Sequence, residues 1–229
     1  MCPMQRARRV LIADEHPIVR HGLRRVMEPE ADLTVCGEAE SLKSTRLAID
    51  ELKPDAVICD ISMNHFEGIE LVRQVRAHHP QLPVLVLTTH DETLYAERML
   101  SVGATGYLMK DATSEQFLVS LRRVLDGQVY VSEAVSNGII LKHAAGKSYQ
   151  SSDPIDRLSV RELQILLMIG KGLSTRETAE ALSLSIKTVE SHRQRIKRKL
   201  NLTTGMQLLR YAVLDPGKRD AIARSGCVG

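Results

Sequence analysis

The sequence predicts an α/β fold, a doubly wound five-stranded parallel sheet, joined to a small all-α domain of four helices. Three observations predict it. Between residues 8 and 126, short apolar runs alternate five times with helical stretches, the pattern of a parallel sheet covered by helices on both faces. Polar residues stand where four of those runs stop: Asp14-Glu15, Asp60, Thr88 and Lys110. From Leu158 onward the pattern is helical and the charge changes sign. Residues 151–229 hold 14 lysines and arginines against 8 aspartates and glutamates, whereas residues 1–150 hold 17 against 20. An acidic first part and a basic second part imply two domains with different partners, the second a polyanion.

Each element has its own signal. Arg9 to Ala13 is the first strand, and Pro17 suits the first turn of a helix running to about Glu28. Leu33 to Gly37 is the second strand and 42–52 a helix. Ala56-Val57-Ile58-Cys59 is a short, wholly apolar third strand that runs into Asp60. A loop from Ser62 to Glu67 leads to a helix ending near His79-Pro80. Pro83 to Leu87 is the fourth strand and Glu92 to Val102 a helix stopped by Gly103. Thr105 to Met109 is the fifth strand, and Ser114 to Leu125 the helix after it. Beyond that, 127–156 reads as a linker carrying a helix at 133–143, its Ala144 to Asp156 stretch small, polar and Pro-containing. Gly146-Lys147-Ser148 within it lacks the upstream glycine and strand of a phosphate loop. Residues 1–7 are a basic N-terminal tail, and 215–229 is read as a disordered one.

Other classes fall away. Four scattered cysteines, Cys2, Cys36, Cys59 and Cys227, show no metal spacing and are read as thiols in a reducing compartment. No apolar stretch approaches a membrane span, and the run Val10 to Ala13 is too short for a signal peptide. The expectation is a soluble, cytoplasmic protein. A nucleotide- or phosphate-using α/β enzyme would want a Gly-rich turn after strand one, where Asp14-Glu15-His16-Pro17 stands instead.

In a doubly wound sheet the C-terminal strand ends lie along one edge, where ligands bind. Asp14, Glu15 and Asp60 would meet there, and crowded carboxylates call for a cation. Oxygen donors suit Mg²⁺, which joins carboxylates to phosphate oxygens. Lys110 and Thr88 could hold a phosphoryl group, so the edge looks built to accept phosphate on Asp60. His16, His65 and His90 read as loop residues, and Cys59 as a packed thiol.

In the second part, Ser159-Val160-Arg161-Glu162 and Ser174-Thr175-Arg176-Glu177 are capping boxes that each start a helix, with Gly170 and Gly172 breaking the chain between. A third helix follows Ser185, with Ile186, Val189, Ile196 and Leu200 as its expected buried stripe, and 204–214 forms a fourth. Short helices with tight turns suggest a helix-turn-helix over 157–214. The third helix carries six basic residues, Lys187, Arg193, Arg195, Lys197, Arg198 and Lys199, against Glu190. Lys187, Ser191, Gln194 and Arg198 face away from the stripe, with Glu190 and Arg195 at the sides. Glu190, Ser191 and Gln194 are candidates for reading base edges, and Lys187, Arg193, Arg195 and Arg198 for phosphate contacts, Arg193 extending from the edge of the buried face.

The residues Asp14-Glu15-His16, Asp60, Thr88 and Lys110, in this order over residues 8–126, resemble the flavodoxin-like receiver domain of two-component response regulators. Leu158 to Glu162, Gly172 to Ser174 and Ser185 to Arg193 resemble the LuxR-type helix-turn-helix of the NarL/FixJ family. The resemblance implies that Asp60 takes a phosphoryl group from a sensor histidine kinase, the receiver promoting its own phosphorylation without being an enzyme. It implies Asp14, Glu15, Asp60 and the main-chain carbonyl of Ser62 around Mg²⁺, and Thr88, Tyr107 and Lys110 as phosphate-contact and switch residues. For the second domain it implies promoter DNA as partner through Lys187, Thr188, Glu190, Ser191, His192, Arg193, Gln194, Arg195 and Arg198. It further implies a homodimer of the active form through Met206, Leu209 and Arg210, with RNA polymerase as a further partner. Two departures stand out. Glu15 replaces the usual Asp, pushing its carboxylate outward by a methylene, and Asn64 replaces a Pro that usually stiffens the loop after the acceptor. They motivate the alternative that the receiver is a phosphorylation-independent dimerisation or ligand module.

Overall fold

The structure, a computed structural model, describes residues 6–144 and 154–213, without the side chains of 64–67, 142–144 and 156. The segment with Gly146-Lys147-Ser148, the tail from 214, and the Asn64 and His65 side chains therefore lie outside the described residues. The chain divides into two compact units between Ile139 and Ile140.

In the first unit, β1 (Arg8–Ala13), β2 (Leu33–Ala39), β3 (Ala56–Cys59), β4 (Val84–Thr88) and β5 (Gly106–Met109) form one parallel sheet in the order β2-β1-β3-β4-β5. The strands at its centre carry continuous apolar runs because helices cover both faces: Val10 to Ala13 and Ala56 to Cys59 are all buried. On one face Leu23 and Met27 of α1 (Pro17–Met27) and Phe117, Leu121 and Val124 of α5 (Ser114–Leu125) pack on Val10, Ile12, Ile58, Leu85 and Leu87. The other helices are α2 (Leu42–Leu52), α3 (Met63–His78) and α4 (Glu92–Val102). Serine, aspartate and threonine begin three of these helices: Ser41, Asp91 and Thr113 each accept a backbone N–H of the first turn.

The expected loop over Ser62 to Glu67 is instead the first turn of α3. Proline at position 64 would have driven residue 63 out of the helical region; asparagine does not. Gly68 lets this turn sit close on β3, since a Cβ there would lie 2.1 Å from the Asp60 carbonyl oxygen. The strand β2 also runs two residues further than expected, to Ala39, paired with Ala13. A helix, α6 (Glu133–Ala144), follows α5 where a helix at 133–143 is expected.

The second unit contains α7 (Val160–Gly170), α8 (Thr175–Ala181), α9 (Ile186–Lys199) and α10 (Gly205–Val213). Both expected capping boxes form, at Ser159/Glu162 and Ser174/Glu177. Gly170 stays in the helix, packed on the Ala212 carbonyl of α10; the break comes at Gly172, with φ +84°. Val189, Ile196 and Leu200 of α9 are buried as expected. Ile186 is not: it is 49% exposed. Cβ atoms on a helix tilt toward its N-terminus, so a first-turn side chain overhangs the helix end with no turn of its own beneath it.

Candidate functional site

Asp14, Asp60 and Lys110 follow directly from the ends of β1, β3 and β5, and Thr88 ends β4, so the sheet order sets them along one edge. Asp14 and Asp60 are 3% and 2% exposed. The Lys110 ammonium donates to Oδ2 of Asp60 at 2.7 Å and sits 2.6 Å from Oδ2 of Asp14. Burial alone would lower the lysine's pKa and raise that of Asp60. The ion pairing outweighs burial in both, assisted at Asp60 by Ser62, so Lys110 is held above and Asp60 below its ordinary value. Asp60 is therefore an ionised, oriented carboxylate at neutral pH.

The second oxygen of each carboxylate is fixed by the residue two positions on. Asp60 Oδ1 accepts the Ser62 N–H and the Ser62 hydroxyl, both at 3.0 Å. Asp14 Oδ1 accepts the His16 N–H at 2.8 Å and lies 3.0 Å from His16 Nδ1. Both are the local turn that aspartate favours. The Arg20 guanidinium donates to the Asp14 carbonyl at 2.7 Å while also pairing with Glu38 at 3.0 Å, which pins the turn to β2.

Two buried carboxylates share one ammonium, leaving negative charge uncompensated, and hard oxygen donors at such a site fit a divalent cation such as Mg²⁺. Among the described residues, the group whose ligand atoms lie within 4.8 Å of one another is Asp14, His16 and Asp60. Glu15, expected in that group, is half-buried beside it. Ser62 stands immediately before α3, where a residue's carbonyl takes the first helical hydrogen bond. Thr88 is buried, and its Oγ1 accepts the His90 N–H at 3.5 Å. Tyr107 is buried with its hydroxyl donating to the His90 carbonyl at 2.8 Å, and the His90 ring lies tilted by 33° against that of Tyr95, their centroids 4.8 Å apart. Cys59 is buried, its thiol pushed far up by desolvation and the neighbouring carboxylates, and so is unreactive.

His16, Arg20 and the Ser62 side chain were not singled out as site residues from the sequence. The spacing of Asp14 to His16 and of Asp60 to Ser62 is the signal that could have found two of them.

On α9 the polar residues divide as the helical period requires. Lys187, Glu190, Ser191, Gln194, Arg195 and Arg198 are exposed, while Thr188, His192 and Arg193 are half-buried. The Ser185 hydroxyl accepts the Thr188 N–H at 3.0 Å and fixes the start of the helix. His192 is held below its ordinary pKa by burial and Arg195, hence neutral, with Nδ1 enclosed and without a hydrogen bond. It belongs to the packing of α9 more than to its outer face. The base of α9 is tied to α7 by Lys199 to Glu162 at 2.7 Å, with Glu162 buried. On α10, Met206, Leu209, Arg210 and Val213 are exposed.

Residues 10–122 match the family model of the response regulator receiver domain, and 156–212 that of the bacterial regulatory proteins of the luxR family. Oxygen regulatory protein NreC of Staphylococcus haemolyticus is 34% identical over 209 residues, covering 90% of this chain and 96% of that protein. Response regulator GacA of Pseudomonas aeruginosa is 35% identical over 205 residues, covering 90% and 95%. Among solved structures, RcsB from Salmonella enterica serovar Typhimurium bound to promoter rprA in the presence of phosphomimetic BeF3⁻ superposes with a TM-score of 0.64 at 27% identity, covering 91% of this chain and 100% of that one.

Proposed function

The chain belongs to the NarL/FixJ family of response regulators, DNA-binding transcription regulators that join a receiver to a LuxR-type helix-turn-helix, and we propose that phosphorylation of Asp60 controls its binding to promoter DNA. The observation that carries the reading is the buried pair Asp14 and Asp60 bridged by the Lys110 ammonium.

The phosphoryl donor is a histidine of a sensor kinase. An Asp60 oxygen attacks phosphorus in line, the new P–O bond forming as the bond to the donor nitrogen breaks. Lys110 and the Thr88 hydroxyl hold the phosphoryl oxygens, and Ser62 holds the acceptor in place through Oδ1. Mg²⁺ held by Asp14 and Asp60, with Glu15 and the Ser62 carbonyl as the further ligands the family pattern implies, supplies charge neutralisation when bound. Tyr107, packed against the turn that follows Thr88, carries the change away from the site.

In the second domain α9 enters the major groove. Lys187, Arg193, Arg195 and Arg198 contact phosphates, with Thr188 and His192 steadying the helix, and Glu190, Ser191 and Gln194 read base edges. The exposed Met206, Leu209 and Arg210 of α10 supply the contact between two DNA-bound copies. RcsB was solved bound to promoter rprA, and two RcsB dimers were solved bound to two parallel DNAs, which supports DNA binding and dimerisation. The protein acts in the cytoplasm, with RNA polymerase a further partner; no helix among the described residues is long and apolar enough to cross a membrane.

The test is labelling with acetyl phosphate and Mg²⁺. Wild type should take up acid-labile phosphate and Asp60→Asn none; a variant that still labels would remove Asp60 as acceptor. A second reading, a receiver that works without phosphorylation, is favoured by Glu15 lying outside the close group and by Ser62 leading into α3. Failure of the wild type to bind Mg²⁺ or to label would select it.

A further inference from the structure

We propose that Ile186 is a base-reading residue that recognises the 5-methyl group of thymine in the major groove. The inference rests on α9 being the helix that enters that groove.

A lone exposed isoleucine ordinarily carries no information. The position of this one does. Among the described residues of α9 it is the one exposed apolar side chain; Val189 and Ile196 are buried, and every other exposed residue is polar or charged. It is the first residue of the helix, and the N-terminal part of a recognition helix is the part that reaches base edges. It also heads a row. Ile186, Glu190 and Gln194 are four residues apart, so they lie one above the other along one line of the helix surface. That line holds two of the three residues assigned to base reading, and it is flanked by Lys187, Ser191 and Arg198.

The start of the helix is rigid where Ile186 sits. Ser185 Oγ accepts the Thr188 N–H at 3.0 Å and lies 2.8 Å from the Thr188 hydroxyl. Isoleucine is β-branched and stiff at χ1, so little rotamer freedom is lost on contact. The basic surface around it suits a polyanion rather than an apolar protein partner. The major groove of a DNA duplex offers one apolar group, the thymine methyl, and it also separates A·T from T·A because it marks one strand. Glu190 and Gln194 can read cytosine and adenine. Ile186 completes the row with a residue for thymine.

The experiment uses the full chain and a duplex enriched by that chain from a randomised library. Each thymine of the enriched site is replaced in turn by deoxyuridine, which removes the methyl and keeps the pairing. Dissociation constants are measured for wild type, Ile186→Val and Ile186→Ala. Losing the burial of one methyl should weaken wild-type binding about fourfold at one thymine per half-site. Ile186→Ala should bind both versions equally, and Ile186→Val should retain part of the discrimination. The melting temperature of Ile186→Ala should match wild type, as for a residue outside the core. Equal deoxyuridine penalties in wild type and Ile186→Ala at every thymine would overturn the inference alone. A lowered melting temperature with no change in discrimination would assign Ile186 to packing and overturn it too. Enrichment of no sequence at all would overturn base reading by α9, and this inference with it.

Discussion

At the residue scale, Asp60 is kept ionised by its neighbours, against the effect of its burial in the sheet edge. Burial works against its ionisation; Lys110 and Ser62 more than reverse that. This much was partly legible in the sequence. Apolar runs that stop at Asp14, Asp60, Thr88 and Lys110 announce a polar sheet edge, but the hydrogen bonds from positions 16 and 62 belong to turn geometry that an apolar pattern does not encode. Glu15 is the residue whose effect is most open to test. Glu15→Asp shortens the side chain by a methylene and should tighten Mg²⁺ binding in a calorimetric titration; unchanged or weaker affinity would contradict the assignment. On α9, Gln194→Ala should relax preference at particular base pairs at a cost of roughly 1–3 kcal/mol, whereas Arg198→Ala should weaken all sequences alike and reduce the salt slope by roughly one unit. Titrations of matched and scrambled duplexes over a range of salt separate the two.

At the scale of elements, most of the alternation of strand and helix was legible because caps, glycines and apolar runs agreed locally. Some places were not. Polar residues over Ser62 to Glu67 read as a loop, yet without proline at 64 nothing stops the helix from starting at Met63. Ile186 fits the apolar stripe of α9 by periodicity, yet a first-turn position has no underlying turn to bury it. The first of these has a direct consequence. Asn64→Pro should push Met63 out of the helical region and move the start of α3 to residue 64, releasing the Ser62 carbonyl from the helix. Backbone chemical shifts of Ser62 and Met63 read this, and an unmoved helix start would contradict it. The second unit depends on the buried Glu162, which caps α7 and holds Lys199 of α9. Burial raises its pKa, but Lys199 and Ser159 bring it below the ordinary value of 4.5. The stability it adds is complete above that value and is lost as pH falls through it toward the folded-state pKa. Glu162→Gln should therefore cost about 1–3 kcal/mol at neutral pH, with the difference from wild type narrowing in acid. Urea titration followed at the amide signals of α7 and α9 checks both the size and the pH dependence.

At the scale of the whole molecule, two units of opposite charge balance share one chain, and the proposed function is a coupling between them. Phosphorylation can alter DNA binding only if the phosphorylated receiver favours the binding-competent population, such as a dimer, more than the unphosphorylated receiver does. Couplings of this kind usually span roughly 5–150-fold in affinity. The most direct measurement is the affinity of the full chain for a duplex it has itself enriched, with and without acetyl phosphate and Mg²⁺, in wild type and Asp60→Asn. The expected result is a rise in wild-type affinity within that span, together with a larger hydrodynamic size, and no change in Asp60→Asn. Fully labelled wild type that binds DNA no more tightly than unlabelled protein would contradict phosphorylation control.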